Sequence, residues 1–282
     1  MDNTNFFDYQ ELSKFIEILK IAKEERSIES YIYIKNILNT VEFPLPFVIY
    51  PKGQRFVRTR LHKDGELFFT DVKDLSYRKD VQNIKAFGRA NEPGQSFFYC
   101  SDDDSLTLFE TSHIARTLEE KEFEFSTNGL WVAQEELYVV NALTNDDIKG
   151  KHPEIDKLST NFEKLLSDQG DDAAKAVREF YQFISKEFSR PAENDSNHYK
   201  VTAAFTNYIF DSIEQVDAIM YPSTMVTHKG FNFVFKPSTV EKKLKFVIAS
   251  RRKIEFDGKK SYFETEFIDS QENSSGTGEI IW

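Results

Sequence analysis

Residues 88–110 read Gly-Arg-Ala-Asn-Glu-Pro-Gly-Gln-Ser-Phe-Phe-Tyr-Cys-Ser-Asp-Asp-Asp-Ser-Leu-Thr-Leu-Phe-Glu, and the rest of the chain is organised around them. The first part predicts a loop, because Pro93 fixes φ and Gly94 can adopt a positive φ. The apolar, aromatic run at 96–100 is typical of a short buried strand. Residues 101–104 then supply a helix start, with side-chain acceptors and acidic charge at the positive end of the helix dipole.

The predicted helix carries one carboxylate among its apolar positions. Leu106, Leu108 and Phe109 form the apolar side, and Glu110 follows directly. A carboxylate beside an apolar face, just after a strand–turn–helix junction, is where a binding site can be built. Glu110 is therefore the first candidate functional residue.

Composition limits the class of protein. The chain has 282 residues, enough for one large domain or two small ones. A hydrophobic content of 40% with 29% charged residues is typical of a soluble globular protein. The net charge of −11 argues against a general binder of nucleic-acid backbones. A local basic cluster at residues 52–60 could still hold a small anionic ligand.

Several features predict a cytoplasmic protein without a metal. The first residues show no secretory leader, and no apolar run approaches the ~18 residues of a membrane span. The single cysteine, Cys100, excludes an internal disulfide and a multi-cysteine metal site. The histidines have no metal-ligand spacing, and P-loop, Rossmann and His-Glu-x-x-His motifs are absent. We therefore expect no metal, no membrane and no nucleic acid as partners.

The chain opens with two predicted amphipathic helices, the second with Ser27 as a candidate N-cap. Pro44 and Pro46 mark the end of this segment. We predict an N-terminal helical extension over residues 1–43 and a second domain over residues 44–282. Packing of the helices onto the rest of the chain is favoured over binding to a partner. Their apolar positions are Leu12, Phe15, Ile16 and Leu19, then Ile28, Tyr31, Ile34 and Leu38.

Three arginines lie on one predicted strand. Residues 55–60 alternate imperfectly, which places Arg58 and Arg60 on the face opposite Val57 and Thr59. Such arginines are typical of a solvated edge strand. The alternative is a guanidinium clamp on phosphate or carboxylate, since the planar fork binds these groups in bidentate geometry. The strand by itself leaves both interpretations open.

The later part of the chain alternates between helices and strands. Pro222 ends one predicted strand, and Ser223 follows it directly. Asn232 lies within the next predicted strand. A serine after proline is usually a turn residue, and an asparagine in a strand usually bonds to local backbone. The predicted elements are strands within 129–142, 218–221, 231–235, 243–254 and 261–268, a turn at Asp257–Gly258, a helical segment over 150–213 and a polar tail over 272–278.

Taken together, these residues resemble the RES-domain family, which is named for an arginine, a glutamate and a serine. The loop Gly-Arg-Ala-Asn-x-Pro-Gly, the pair Phe98-Tyr99 and then Glu110 resemble its central motif. The family's arginine matches Arg58, and its serine matches Ser223, with Asn232 following.

The resemblance covers roughly residues 50–240. Tyr199 and Thr202 resemble the Tyr-x-x-Thr that opens a late helix in the family. Val57 and Thr59 depart from the residues common beside the family's arginine. Arg55 and Arg60 therefore stay open as alternatives to Arg58 for the family's arginine.

The resemblance implies an α+β fold similar to ADP-ribosyltransferases. It would have a mostly antiparallel β core, flanking helices, the N-terminal helical extension and a cleft that binds NAD+. Proteins of this family degrade NAD+ by hydrolysis or phosphorolysis, and many are toxins restrained by an antitoxin that covers the cleft. NAD+ would then be the substrate, with no resident cofactor, and an inhibitory protein partner or a homodimer would be possible.

The resemblance also implies a role for each matched residue. Glu110 would stabilise the positive charge that develops on the ribose when nicotinamide leaves. Arg58, with Arg60, would hold the pyrophosphate or an attacking phosphate. Tyr99 would stack on or bond to nicotinamide, while Ser223 and Asn232 would position the ribose or the amide.

Two other functions remain open at the level of sequence. An ADP-ribosyltransferase would use the same cleft and pass ADP-ribose to a macromolecule. A non-catalytic interaction module would keep the fold and use the N-terminal helices for docking. The residues leave the choice between water and phosphate as nucleophile open.

Overall fold

The structure is a computed structural model that describes residues 9–41, 43–63, 65–112, 114, 123–143, 150, 153–167, 170–190, 196–223, 230–256 and 262–282. Seven α-helices lie in this part of the chain: α1 (Tyr9–Ala22), α2 (Ile28–Leu38), α3 (Asp104–Thr111), α4 (Pro153–Leu166), α5 (Asp171–Phe188), α6 (Lys200–Ser212) and α7 (Pro237–Lys243). Nine strands accompany them: β1 (Phe47–Tyr50), β2 (Arg55–Leu61), β3 (Phe98–Ser101), β4 (Phe123–Ala133), β5 (Leu137–Asn141), β6 (Ala218–Pro222), β7 (Phe231–Phe235), β8 (Leu244–Phe256) and β9 (Tyr262–Asp269).

The chain is thus mixed α and β, and most of the strand pairs are antiparallel, as predicted. The predicted turn at Asp257–Gly258 lies outside the described residues. Helix α7 was absent from the sequence-based prediction, although the proline at its first turn is a common helix start.

The chain divides into two compact units. The first contains Met1–Val48, Asp80–Ser96 and Tyr138–Thr224, and the second contains Ile49–Lys79, Phe97–Leu137 and Met225–Trp282. Both units draw on separated parts of the sequence. The domain boundary predicted after residue 43 stays a prediction.

The first unit is built on packed helices. Helix α1 packs against α5 and α2 packs against α6, and the strands β5 and β6 pair in parallel. The predicted apolar positions of α1 are buried, and the Ser27 hydroxyl caps α2 by accepting from the Ser30 amide. Ile28 differs from the expectation and is 51% exposed, because it is the first residue of α2.

The second unit is built on an antiparallel sheet with the strand order β7-β3-β2-β4-β8-β9. Val57 lies opposite Ser101, and Cys100 lies opposite Phe233. Because side chains alternate along each strand, this register assigns every residue to one of two faces. The helix face, which α3 covers, contains Val57, Thr59, Tyr99, Ser101 and Asn232. The arginine face contains Phe56, Arg58, Arg60, Phe98 and Cys100.

Residues 272–278, which were predicted as a polar tail, form backbone hydrogen bonds with residues distant in sequence. The Asn273 amide donates to the Val247 carbonyl at 2.7 Å, and the Val72 amide donates to the Gly278 carbonyl at 2.8 Å. Ile280 is only 3% exposed. Backbone hydrogen bonds to distant residues therefore hold this segment, and its side-chain composition does not reveal them.

Candidate active site

Helix α3 begins directly after β3, at the junction predicted from the sequence. Asp103 is its N-cap, and one carboxylate oxygen accepts from the Ser105 amide at 2.8 Å and the Leu106 amide at 3.3 Å. These bonds satisfy amides that have no partner within the helix, and the acidic charge suits the positive end of the dipole. The short helix thereby starts at a defined residue and carries Glu110 in its last turn.

Glu110 forms a hydrogen bond with the side-chain amide of Asn232, which is distant in sequence. Its Oε1 accepts a hydrogen bond from Asn232 Nδ2 at 2.9 Å. Asn232 belongs to β7 and is 5% exposed, whereas Glu110 is half-buried. The contact joins a predicted catalytic residue to a predicted binding residue on the helix face.

Three features fix α3 against β7. The Ser101 hydroxyl donates to the Phe231 carbonyl at 2.7 Å, and the Phe231 amide donates to Asp102 Oδ1 at 3.0 Å. A Cβ atom at Gly230 would lie 2.3 Å from Leu106 Cδ1, so only glycine permits this approach without displacement. Glu110 is therefore held by a rigid support.

The other side of α3 is tied to β2 and β4. The Thr59 hydroxyl lies 2.5 Å from the Thr107 hydroxyl and donates to Asn128 Oδ1 at 2.7 Å. After the helix, the Ser112 hydroxyl donates to Glu124 Oε2 at 2.7 Å. The helix that carries Glu110 is thus anchored at both of its ends.

Arg58 lies on the arginine face. Its NH1 group donates to the Tyr99 carbonyl at 2.9 Å, and its guanidinium carbon lies 5.5 Å from the centroid of the Phe98 ring. Its Nε atom is buried and has no hydrogen-bond partner among the described residues. Burial, with a smaller contribution from the positive charge of Arg60, lowers the pKa of Arg58 to about 10.

The three candidate arginines have different surroundings. Arg55 is exposed at the start of β2. Arg60 donates from NH1 to the Asp74 carbonyl at 2.7 Å, and its guanidinium lies 4.4 Å from the Phe69 ring centroid. Arg58 is therefore distinguished from the other two by its buried, unpaired nitrogen.

The predicted site residues of the second unit divide between the two faces of its sheet. Asn232 and the Tyr99 side chain lie on the helix face with Glu110, whereas Arg58 and Arg60 lie on the opposite face. Tyr99 links the two faces, because Arg58 bonds to its backbone carbonyl. The structure thus brings Glu110 and Asn232 together and does not place Arg58 beside Glu110.

Ser223 belongs to the first unit, where it directly follows β6 and is fully buried. Residues 224–229, which follow it, lie outside the described part of the chain. The predicted pair Tyr199 and Thr202 is also in this unit, and the Thr202 hydroxyl donates to the Tyr199 carbonyl at 3.0 Å. That bond is a local contact at the start of α6.

Arg89 was not among the predicted site residues, although it stands in the loop motif. Its NH1 group donates to the Arg190 carbonyl at 2.9 Å and also to the Phe188 carbonyl. Its guanidinium lies 5.1 Å from the centroid of the Tyr199 ring.

The described residues contain neither a metal-binding cluster nor a membrane-spanning helix. No group of three or more His, Cys, Asp or Glu residues there could hold a metal ion. In the same residues, no helix combines the length and apolar character needed to cross a membrane.

These observations define a class: a mixed α and β protein with an antiparallel sheet and a carboxylate–amide pair at a strand–helix junction. Residues 70–257, about two thirds of the chain, match the family model described as RES domain. The chain therefore belongs to the RES domain family, as its motifs predicted. The comparison with curated proteins gives no match. Tyr99, Glu110, Ser223 and Asn232 lie inside the matched residues, and Arg58 and Arg60 precede them.

Proposed function

We propose that this protein consumes NAD+ by cleaving the bond between nicotinamide and ribose, in an NAD+-binding cleft similar to that of ADP-ribosyltransferases. The observation that carries the proposal is the Glu110 carboxylate, held at 2.9 Å by the Asn232 amide, in a chain of the RES domain family. NAD+ is the substrate, and no resident cofactor takes part.

The chemistry needs a fixed negative charge. When the C1′–N bond breaks, its electron pair goes to the pyridinium nitrogen and nicotinamide leaves as a neutral molecule. The ribose is left with oxocarbenium-like positive charge, which a carboxylate stabilises as in glycoside cleavage. An oxygen of water or phosphate then bonds to C1′, and water releases a proton. The products are nicotinamide and either ADP-ribose or its 1-phosphate ester.

The geometry suits Glu110 for the electrostatic role. The amide of Asn232 orients one carboxylate oxygen and leaves the negative charge in place, because an amide carries no charge of its own. Half-burial strengthens the interaction of that charge with a nearby cation, since the local dielectric constant is lower than that of water.

The remaining residues take the roles implied by the family resemblance. Tyr99 shares the helix face and would contact nicotinamide. Asn232 would position the ribose or the amide, and the resemblance implies the same kind of role for Ser223. Arg58 and Arg60 would hold a phosphate. The support for this last role is electrostatic: in the described part of the chain, both guanidiniums bond to backbone carbonyls and neither forms an ion pair.

The test is nicotinamide release from NAD+ by the purified protein, with and without phosphate. Glu110→Gln keeps the shape of the side chain and removes its charge, so release should fall by at least ~10²-fold. Glu135→Gln makes the same change at an exposed position of the second unit and should leave release unchanged. A dependence on phosphate would identify phosphorolysis.

Other outcomes would select a different function. Radiolabel that passes from NAD+ to a macromolecule would identify an ADP-ribosyltransferase. A folded wild-type protein that releases no nicotinamide and labels no acceptor would overturn the enzymatic proposal in favour of a binding module.

We extend the proposal to a toxin that a protein partner restrains. Expression of the wild-type protein alone should deplete cellular NAD+ and arrest growth, whereas Glu110→Gln should do neither. Unchanged NAD+ levels with the active wild-type protein would contradict the toxin role. The homodimer and the cytoplasmic location stay predictions.

A further inference from the structure

Helix α2 lies outside the residues matched by the family and contacts the loop that opens the family motif. Tyr31 of this helix is 3% exposed, and its ring centroid lies 4.9 Å from that of Phe87. Phe87 immediately precedes the loop at residues 88–95. A side chain from the N-terminal helices therefore reaches the base of the loop within the first unit.

Four residues form a ring of polar contacts here, and three hydrogen bonds join them. Asn207 Nδ2 donates to the Tyr31 hydroxyl at 3.1 Å, and Gln95 Nε2 donates to Asn207 Oδ1 at 2.5 Å. The Glu92 amide donates to Gln95 Oε1 at 3.2 Å. Burial, together with the nearby Glu92 carboxylate, raises the pKa of Tyr31. Tyr31 and Asn207 are both buried, so removing the partner of either one leaves a buried polar group unsatisfied.

The loop has a second set of internal bonds. The Gly94 amide donates to the Ile84 carbonyl at 2.8 Å, and Gly94 has a φ of 78°, which favours glycine. The Gly88 amide donates to the Asn91 carbonyl at 2.9 Å. These bonds hold Gly88 and Gly94 of the loop, and the ring that includes Tyr31 holds Glu92 and Gln95.

The support under Tyr31 is itself fixed. Lys200, at the start of α6, is fully buried and donates from Nζ to the carbonyls of Glu25 and Ser27, each at 2.7 Å. These carbonyls lie between α1 and α2. The same helix α6 supplies Asn207 to the ring. Tyr31 and Asn207 are therefore held as one rigid support, against which the loop is placed.

We propose that Tyr31 is a positioning residue, which holds the loop at residues 88–95 and, through the continuous chain, the start of β3. This inference builds on the proposed consumption of NAD+. The chain passes from Gln95 into β3 within three residues, and β3 carries Tyr99. A loop that leaves its support would loosen the start of β3, so that Tyr99 would hold nicotinamide less tightly, while Glu110 and its bond to Asn232 stay in place.

The test compares Tyr31→Phe, which removes only the hydroxyl, with Tyr33→Phe on the same helix, where the side chain is 50% exposed. Amide hydrogen exchange at Glu92 and Gly94 should rise about fivefold in Tyr31→Phe, the effect of one lost hydrogen bond. The KM for NAD+ should rise severalfold with little change in kcat. Gln95→Ala breaks the ring from the loop side and should give the same pattern.

The outcomes separate this inference from the proposed function. Unchanged exchange at the loop in both Tyr31→Phe and Gln95→Ala would overturn it, as would an equal rise in exchange across all amides. Exchange is measured without NAD+. Faster loop exchange in a protein whose wild type releases no nicotinamide would support the positioning of the loop and overturn the proposed function.

Discussion

In the second unit, the candidate residues on both faces of the sheet form hydrogen bonds with uncharged groups. Arg252 in the same unit bonds to carboxylates instead. On the helix face, Glu110 bonds to the neutral amide of Asn232. On the arginine face, Arg58 and Arg60 bond to backbone carbonyls. Arg252, in contrast, is paired with carboxylates: its NH2 group lies 3.3 Å from Asp104 Oδ2, and its NH1 group bonds to Glu264.

The two kinds of partner differ in how much of the electrostatic potential of the charged group remains for a ligand or a transition state. An ion pair such as that of Arg252 cancels its charge and contributes mainly to structure. A charged group with neutral partners keeps its electrostatic potential for a ligand or a transition state. The helix face thus offers a carboxylate oriented by an amide, and the arginine face offers two guanidiniums bonded to backbone carbonyls. Four predictions test this difference, in decreasing order of the expected change in free energy.

The first prediction removes the neutral partner from the helix face. Asn232→Ala should lower the rate of nicotinamide release by ~10²-fold, because Glu110 loses the amide that orients it. The measurement is kcat for NAD+ at a temperature where the variant is folded. Asn128→Ala is the matched control, since Asn128 is also 5% exposed and bonds to Thr59 instead. Equal rate losses in both variants would contradict an orienting role for Asn232.

The second prediction concerns the close approach that supports the helix face. Gly230→Ala should lower the free energy of unfolding by about 2 kcal/mol, because the added Cβ overlaps Leu106. Urea denaturation measures the change. Gly170→Ala is the control, since a Cβ there meets nothing within 4 Å. A midpoint for Gly230→Ala that matches the control would show that α3 shifts without cost.

The third prediction tests the arginine face. Arg58→Met should raise the KM for NAD+ about tenfold, or ~1.4 kcal/mol, through loss of the positive charge proposed to hold phosphate. Its stability should stay near that of the wild type, since removing a buried charge offsets the lost bond to Tyr99. Arg55→Met changes an exposed arginine of the same strand and serves as control. An unchanged KM would contradict a role of Arg58 in binding phosphate and would leave the arginine face with a role in packing only.

The smallest effect concerns His62, which follows Arg60 on the arginine face by strand alternation. Burial lowers the pKa of His62 from 6.5, and Arg251 and Arg60 add to this shift. The unfolded chain therefore binds a proton more readily, so stability should fall as the pH drops below about 6.5. Urea midpoints at about pH 7.5 and 5.5 should differ less in His62→Gln than in the wild type. An identical pH dependence would contradict the shift.

The elements near the motif were predicted well because their signals are local. The Asp103 cap, the buried strand β3 and the apolar side of α3 depend on residues close together in sequence. The ordered C-terminal segment and helix α7 escaped prediction. The first depends on backbone bonds to residues distant in sequence, such as Val72 and Val247, and the second begins at a proline beside a strand.

The family, the order of the main elements and the position of Glu110 near the end of its helix could all be predicted from the amino-acid sequence alone. The sequence also placed Arg58 and Arg60 on one face, since alternation along a strand is a local property. Only the tertiary structure decided that Glu110 meets Asn232, and that the arginines lie across the sheet from this pair. The physical reason is that strand register depends on long-range backbone pairing, which no local pattern encodes.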